Sequence, residues 1–136
     1  MLFMNTINNF RAAAILLVTG IVLGALGAHL LKKILFEQQL ISFETGVRYQ
    51  IYGGFSVLVF SILEVITKKS LKLIVLTNVL GVCIFSLSIY FLALKDVLGL
   101  PEIISKILGP ITPIGGLLQI VSWVIFILRA NKIFFN

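Results

Sequence analysis

The sequence is poor in the residues that carry out chemistry. Its 136 positions hold one cysteine, one histidine, one tryptophan, three prolines and five acidic residues. A lone Cys83 excludes an intramolecular disulfide and a thiolate metal cluster, and its place inside an apolar run marks it as a buried, inert thiol. A lone His29 has no companion ligand, so a metal site has no footing. No nucleophile elbow, phosphate-binding loop, dinucleotide fingerprint, HExxH or pair of catalytic carboxylates is present. Neither catalysis nor a bound cofactor is expected. Charge is scarce as well: charged residues make up 12% of the chain, where a soluble domain carries about 25%. That is too little to cover a water-exposed surface, which excludes a soluble enzyme.

What is plentiful is apolar side chain, 60% of all residues with a mean hydropathy of +1.15. Crossing the roughly 30 Å hydrocarbon layer takes about 20 apolar residues, so four crossings use about 80 positions and leave no room for a second domain. Four apolar runs are present. They cover about residues 12–31, ending at Lys32 and Lys33; 47–66, ending at Lys68, Lys69 and Lys72; 73–94, ending at Lys95 and Asp96; and 113–134. The fourth is short if it stops at Leu128, since its 16 residues then cover about 24 Å; it must run on past Arg129 or start earlier. Lipid offers no partner to unpaired backbone groups, and the runs lack the strict alternation of barrel strands. The expected fold is therefore an all-α integral membrane protein, a four-transmembrane-helix bundle forming one membrane domain over residues 1–136. The first run imitates a signal peptide, with Arg11 before it and Ala25-Leu26-Gly27 as a small-residue site. It is longer than an ordinary h-region, and a retained span is expected.

Two connecting segments have a pattern of their own. In residues 34–50, Phe36, Leu40, Phe43 and Val47 recur at helical spacing with Glu37, Gln38, Gln39, Glu44 and Arg48 between them. This is an amphipathic helix that lies in the interface between spans one and two, or extends the second span outward. Residues 96–112 hold Gly99, Pro101, Gly109 and Pro110 and read as a bent connection at headgroup level. Thr112 then serves as the N-cap of the fourth span and Pro113 as its first helical residue. Gly115 and Gly116 thin the next turn for close contact with a neighbour; an anion-binding helix N-terminus is the sharper alternative.

The formal net charge of +6 gathers at the ends of the apolar runs, so the lipid bilayer and its anionic headgroups, and not nucleic acid, are the expected partners. With four spans, Arg11, Lys68, Lys69, Lys72, Arg129 and Lys132 share the side of both termini, against Lys32, Lys33, Arg48, Lys95 and Lys106 opposite. The positive-inside rule thus places both termini in the cytoplasm by a margin of one cation. Gly20 and Gly24 form a small-xxx-small pair, continued by Ala28 on the same face and Gly27 nearby. Such residues let helices approach where lipid removes any hydrophobic drive; packing within the chain is favoured over packing between chains. Thr19, Asn78, Ser86, Ser88, Gln119 and Ser122 suit hydrogen bonds between helices. Glu64 is expected to snorkel toward Lys68, four residues on. His29, Glu44, Arg48 and Tyr49 form the candidate functional cluster at one mouth of the bundle, against a purely structural reading of the histidine.

These residues also carry a family resemblance. Gly24-Ala25-Leu26-Gly27-Ala28-His29-Leu30-Leu31-Lys32, Phe43-Glu44-Thr45-Gly46-Val47-Arg48-Tyr49-Gln50, Phe85-Ser86-Leu87-Ser88-Ile89-Tyr90, and Ile111-Thr112-Pro113-Ile114-Gly115-Gly116 with Trp123 resemble, in order, the motifs of one small bacterial membrane family. It is called domain of unknown function 423 and is related to the eukaryotic transmembrane protein 256 family. The likeness covers about residues 10–130. It implies a four-span inner-membrane protein with the first span retained, and it implies no activity. Gly53 stands where the family usually has a histidine, which puts in doubt any role needing two histidines near one membrane face. Leu87 stands where a glycine is usual. Two function classes follow. The first is a structural or accessory component packing with itself, with lipid or within a larger membrane complex. The second is a small oligomeric transporter or channel with the His29 cluster at its mouth. Coupled transport generally needs an ionisable group at mid-membrane, and none is visible.

Overall fold

Four helices carry residues 2–135, which the computed structural model describes: α1 (Leu2–His29), α2 (Glu37–Thr67), α3 (Lys72–Leu94) and α4 (Ile103–Phe134), with no strand among the described residues. Each is long and apolar enough to cross a membrane. The order of glycine contacts fixes how they pack. Gly20, Gly24 and Gly27 of α1 face Ile51, Val47 and Phe43 of α2 in turn, so these helices run antiparallel. Gly46 and Gly53 of α2 face Tyr90 and Val82 of α3, and Gly81 and Phe85 of α3 face Gln119 and Gly115 of α4, again antiparallel. Each helix packs on its neighbours in the chain, while α1 and α4 do not meet. The bundle is therefore open along one side. Its inner members α2 and α3 carry most of the buried residues, and α1 and α4 turn long apolar faces outward.

The segment 34–50 takes the second of its two expected forms. After a 3-10 turn, Leu31–Lys33, residue 37 opens a helix that runs unbroken to residue 67. There is no separate surface helix, because the stripe meant for the interface has a protein partner: Phe43 and Val47 are buried against α1 and α3. Gln39 secures this end. Its side chain accepts from the Phe36 N–H at 3.1 Å, half of a capping box, and donates to Asp96 Oδ2 at 2.6 Å.

The fourth helix corrects the reading of Thr112 and Pro113. It starts at Ile103, so Thr112 is not an N-cap and Pro113 is not its first residue; Pro110 and Pro113 both lie inside it. The prolines free the carbonyls of residues 106 and 109 from their helical donors, yet the helix runs on through both. Thr112 Oγ1 donates to Leu108 O at 2.9 Å and shares a 2.8 Å hydrogen bond with Ser88 Oγ of α3. Only residues 95–102 remain as connection, with Gly99 at φ 61. Lys95 reaches Glu102 there at 2.8 Å, and that hydrogen bond holds the Lys95 ammonium above its ordinary range.

Glu64 also departs from expectation. It is 3% exposed, and it accepts from the Leu71 N–H at 2.7 Å, Asn9 Nδ2 at 2.9 Å and Thr6 Oγ1 at 3.3 Å. Lys68 is engaged otherwise, adopting a left-handed conformation (φ 55) that ends α2. The carboxylate turns inward because three donors, from the first turns of α1 and from the start of α3, replace the water it would find by snorkelling.

Candidate functional site

The interior is joined by glycine contacts and uncharged polar groups. On α1 the contact face runs through Gly20, Gly24 and Gly27; Ala28 is exposed. A 3.6-residue period brings the face back after seven residues and not eight, which is why Gly27 replaces Ala28. The expected contact is within the chain. Gly115 is more tightly placed than any of these: a Cβ there would lie 2.8 Å from Phe85 Cα and 2.9 Å from Gly81 O, both backbone atoms. Gly116 has ordinary room, 3.6 Å from the Phe85 ring. Gly46, Gly53 and Gly81 also make close approaches, and spacing does not single them out, since none has another glycine four residues away.

Three helices meet at Gln50. Its Oε1 accepts from the Tyr90 hydroxyl at 2.7 Å, and its Nε2 donates to Leu16 O at 2.9 Å and Thr19 Oγ1 at 2.7 Å. Tyr90 is packed 4.9 Å from the Phe43 ring, and Ser86 Oγ donates to Gly46 O at 2.9 Å. One buried amide thus ties α1, α2 and α3 together. Between α3 and α4, Asn78 Nδ2 donates to Ser122 Oγ at 2.9 Å. Every uncharged polar residue singled out within the spans therefore lies on a helix contact, but two atoms lack partners among the described residues: Asn78 Oδ1 and Gln119 Nε2. Cys83, expected to be buried, is partly exposed beside the furrow between α1 and α3.

The four residues of the candidate cluster are dispersed. Glu44 and Arg48 border a notch of about 240 Å³ over Gly24 and Gly27, yet Arg48 bonds Thr45 Oγ1 at 3.1 Å and no Glu44–Arg48 ion pair forms among the described residues. Tyr49 turns the other way, 4.9 Å from the ring of Phe85 on α3. His29 is exposed at the end of α1. Gly53, singled out in the sequence together with His29, sits next to Gly54, which packs on Leu17; Leu17 lies 12 residues, about 18 Å, up α1 from His29. The two positions belong to different depths and make no common site.

A larger feature lies between α2 and α4. A groove of about 600 Å³ is walled by Tyr49, Tyr52, Phe85 and Trp123, with Gly116 and Gln119 on the α4 side. Trp123 also packs 4.9 Å from Phe60. The groove is open along one side, and in its α4 wall Gln119 Nε2 is buried without a partner among the described residues. The sequence places Gln119 on a helix contact but does not reveal a groove, because the groove forms only where α2 and α4 stand apart across α3.

This is a four-span α-helical membrane protein, knit internally by small residues and uncharged polar groups and apolar over much of its outer surface. The chain belongs to the family described as Protein of unknown function (DUF423), whose pattern matches residues 23–116. It is similar to a UPF0382 membrane protein of Staphylococcus haemolyticus, 36% identical over 109 residues, which is 80% of this chain and 83% of that protein. One from Staphylococcus epidermidis is 35% identical over 109 residues, 80% and 83% of the two chains. One from Staphylococcus saprophyticus is 34% identical over 110 residues, 81% and 85%. None of these names carries an enzymatic activity. No solved structure matches the chain.

Proposed function

We propose that the chain is a non-enzymatic structural or accessory component of the cell inner membrane, which packs against one further transmembrane helix from a second copy or a larger complex. The observation that supports this reading is the α2–α4 groove. It leaves an aromatic wall of Tyr49, Tyr52 and Trp123 uncovered along the spans. A helix laid in the groove covers these exposed rings and packs close over Gly116. The channel or transporter reading has less support. Glu64 lies at the end of α2 and is engaged by three donors, and the mid-span polar groups carry no charge.

Extracted in native lipid and weighed intact, the protein is expected to exceed the mass of one chain with its lipids, and Gly116→Trp, which fills the groove, to return most of it to single chains. A single chain for the unsubstituted protein overturns the reading, as does solute movement by that protein alone in liposomes. We place both termini on the cytoplasmic face, a reading supported by three lysines within the short turn 68–72. A phosphatase that works only outside the cytoplasm, fused after Asn136, is expected to be inactive; an active fusion reverses the orientation.

A further inference from the structure

The two ends of the bundle differ in charge far more than a count of cations suggests. At the end bearing the termini lie Arg11, Lys68, Lys69, Lys72, Arg129 and Lys132, and the one carboxylate there, Glu64, is buried beneath its three donors. At the other end Glu37, Glu44, Asp96 and Glu102 offset five cations. All four exposed carboxylates are thus on one side, and the terminal face is almost purely cationic.

That face holds a furrow with a defined chemistry. Where α1 and α3 face each other, a cleft of about 200 Å³ has Asn8, Asn9 and Lys72 at its mouth. One to two turns deeper its walls are Ala12, Val75, Leu76 and Val79. Lys72 is exposed, and its ammonium has no ion pair or hydrogen bond among the described residues. Asn8 accepts from Arg11 at 3.4 Å, which brings the guanidinium beside the mouth and leaves the Asn8 N–H groups free to donate outward. Asn9 is turned inward to Glu64 at 2.9 Å, so a donor separates that carboxylate from the opening.

We propose that this α1–α3 furrow is a binding site for an anionic phospholipid. Its phosphodiester is held by Lys72, Arg11 and the Asn8 amide, and the first methylenes of one acyl chain lie along Ala12, Val75, Leu76 and Val79. Two features together select this occupant. Cations and amide donors at headgroup level match a phosphate that carries charge and accepts hydrogen bonds, whereas an apolar wall below them matches a chain entering the hydrocarbon. A soluble phosphate uses only the first feature, and a zwitterionic lipid brings its own cation against Lys72 and Arg11. The site is independent of what fills the α2–α4 groove.

The test uses the full chain, purified in detergent, with dioleoylphosphatidylglycerol, dioleoylphosphatidylcholine or glycerol phosphate added, and reads lipid adducts by intact mass together with the unfolding midpoint. Phosphatidylglycerol is expected to bind and raise the midpoint, and the other two to do neither at equal concentration. Lys72→Gln is expected to weaken phosphatidylglycerol binding roughly fivefold, the usual contribution of one near-surface lysine to anionic lipid. Arg11→Gln behaves likewise, while Lys106→Gln at the opposite end leaves binding unchanged. Lys72 is exposed, so its variant is expected to keep the parent's midpoint without lipid. Equal binding of phosphatidylcholine, or equal loss with Lys106→Gln and Lys72→Gln, overturns the site in favour of diffuse attraction. Binding of glycerol phosphate as tight as the lipid overturns the role of the apolar wall. Because the adducts are read on single chains, loss of this site and loss of the proposed assembly register separately.

Discussion

Gly53→Ala is expected to lower the unfolding midpoint of the detergent-solubilised protein sharply, and Val82→Ala in the same chain to restore most of it. A methyl at residue 53 would enter the van der Waals shell of Val82 Cγ2 and lie 3.2 Å from Val82 Cβ and Cγ1. Valine in a helix has essentially one rotamer, so the branch does not swing aside, and overpacking of this kind costs about 1–3 kcal/mol. Truncating Val82 removes the obstacle. Gly115→Ala is the contrasting case. The atoms in its way belong to the Phe85 and Gly81 backbones, so it is expected to lose about 3 kcal/mol or more, and Phe85→Ala is expected to bring none of it back. Rescue of Gly115→Ala by Phe85→Ala, or failure of Val82→Ala to rescue Gly53→Ala, would show that the helix crossings lie elsewhere. By the same geometry, no larger side chain fits at residue 53 while Val82 holds its place.

The second large effect belongs to Glu64. Glu64→Ala removes the acceptor of the Leu71 N–H and of one Asn9 N–H. A buried donor left without an acceptor costs about 1–3 kcal/mol, so the combined loss is expected to be about 3 kcal/mol, with faster hydrogen exchange at the Leu71 amide. Glu64→Gln keeps one oxygen and is expected to fall between the two. If Glu64→Ala matches the parent in midpoint and in Leu71 exchange, the carboxylate does not hold α1 to the start of α3.

Much of this fold is written in local pattern. Apolar runs, three of them closed by lysines, show four membrane-length helices because the bilayer imposes one length and one secondary structure, and Gly20 and Gly24 announce the α1 contact face because their spacing is itself helical. The start of the fourth helix was misread for an instructive reason. Thr112-Pro113 is a good helix opening in isolation, but the helix already runs from Ile103, and the Ser88–Thr112 hydrogen bond, supplied by another part of the chain, ties it to α3 as an interior turn. Gln50 went unremarked for the same reason: one glutamine in a helix has no spacing to interpret, and its importance comes from Thr19 and Leu16, 31 and 34 residues away, and Tyr90, 40 residues away. The His29 cluster shows the converse error. Glu44, Arg48 and Tyr49 are close in sequence, but the helix turns Tyr49 toward α3 and keeps the other two at the edge of α1.

Packing each helix mainly on its neighbours in the chain bears on how the protein is made. No contact must wait for the last span to return to the first, since α1 and α4 do not meet. The contacts that join the helices can form in the order of synthesis: the Gly20–Gly27 face closes on α2 as soon as that span emerges, the Gln50 amide gains Tyr90 with the third, and Gly115 crosses Gly81 with the fourth. Such a chain has low contact order and little loop-closure entropy to overcome, so each span enters the membrane onto a surface already waiting for it.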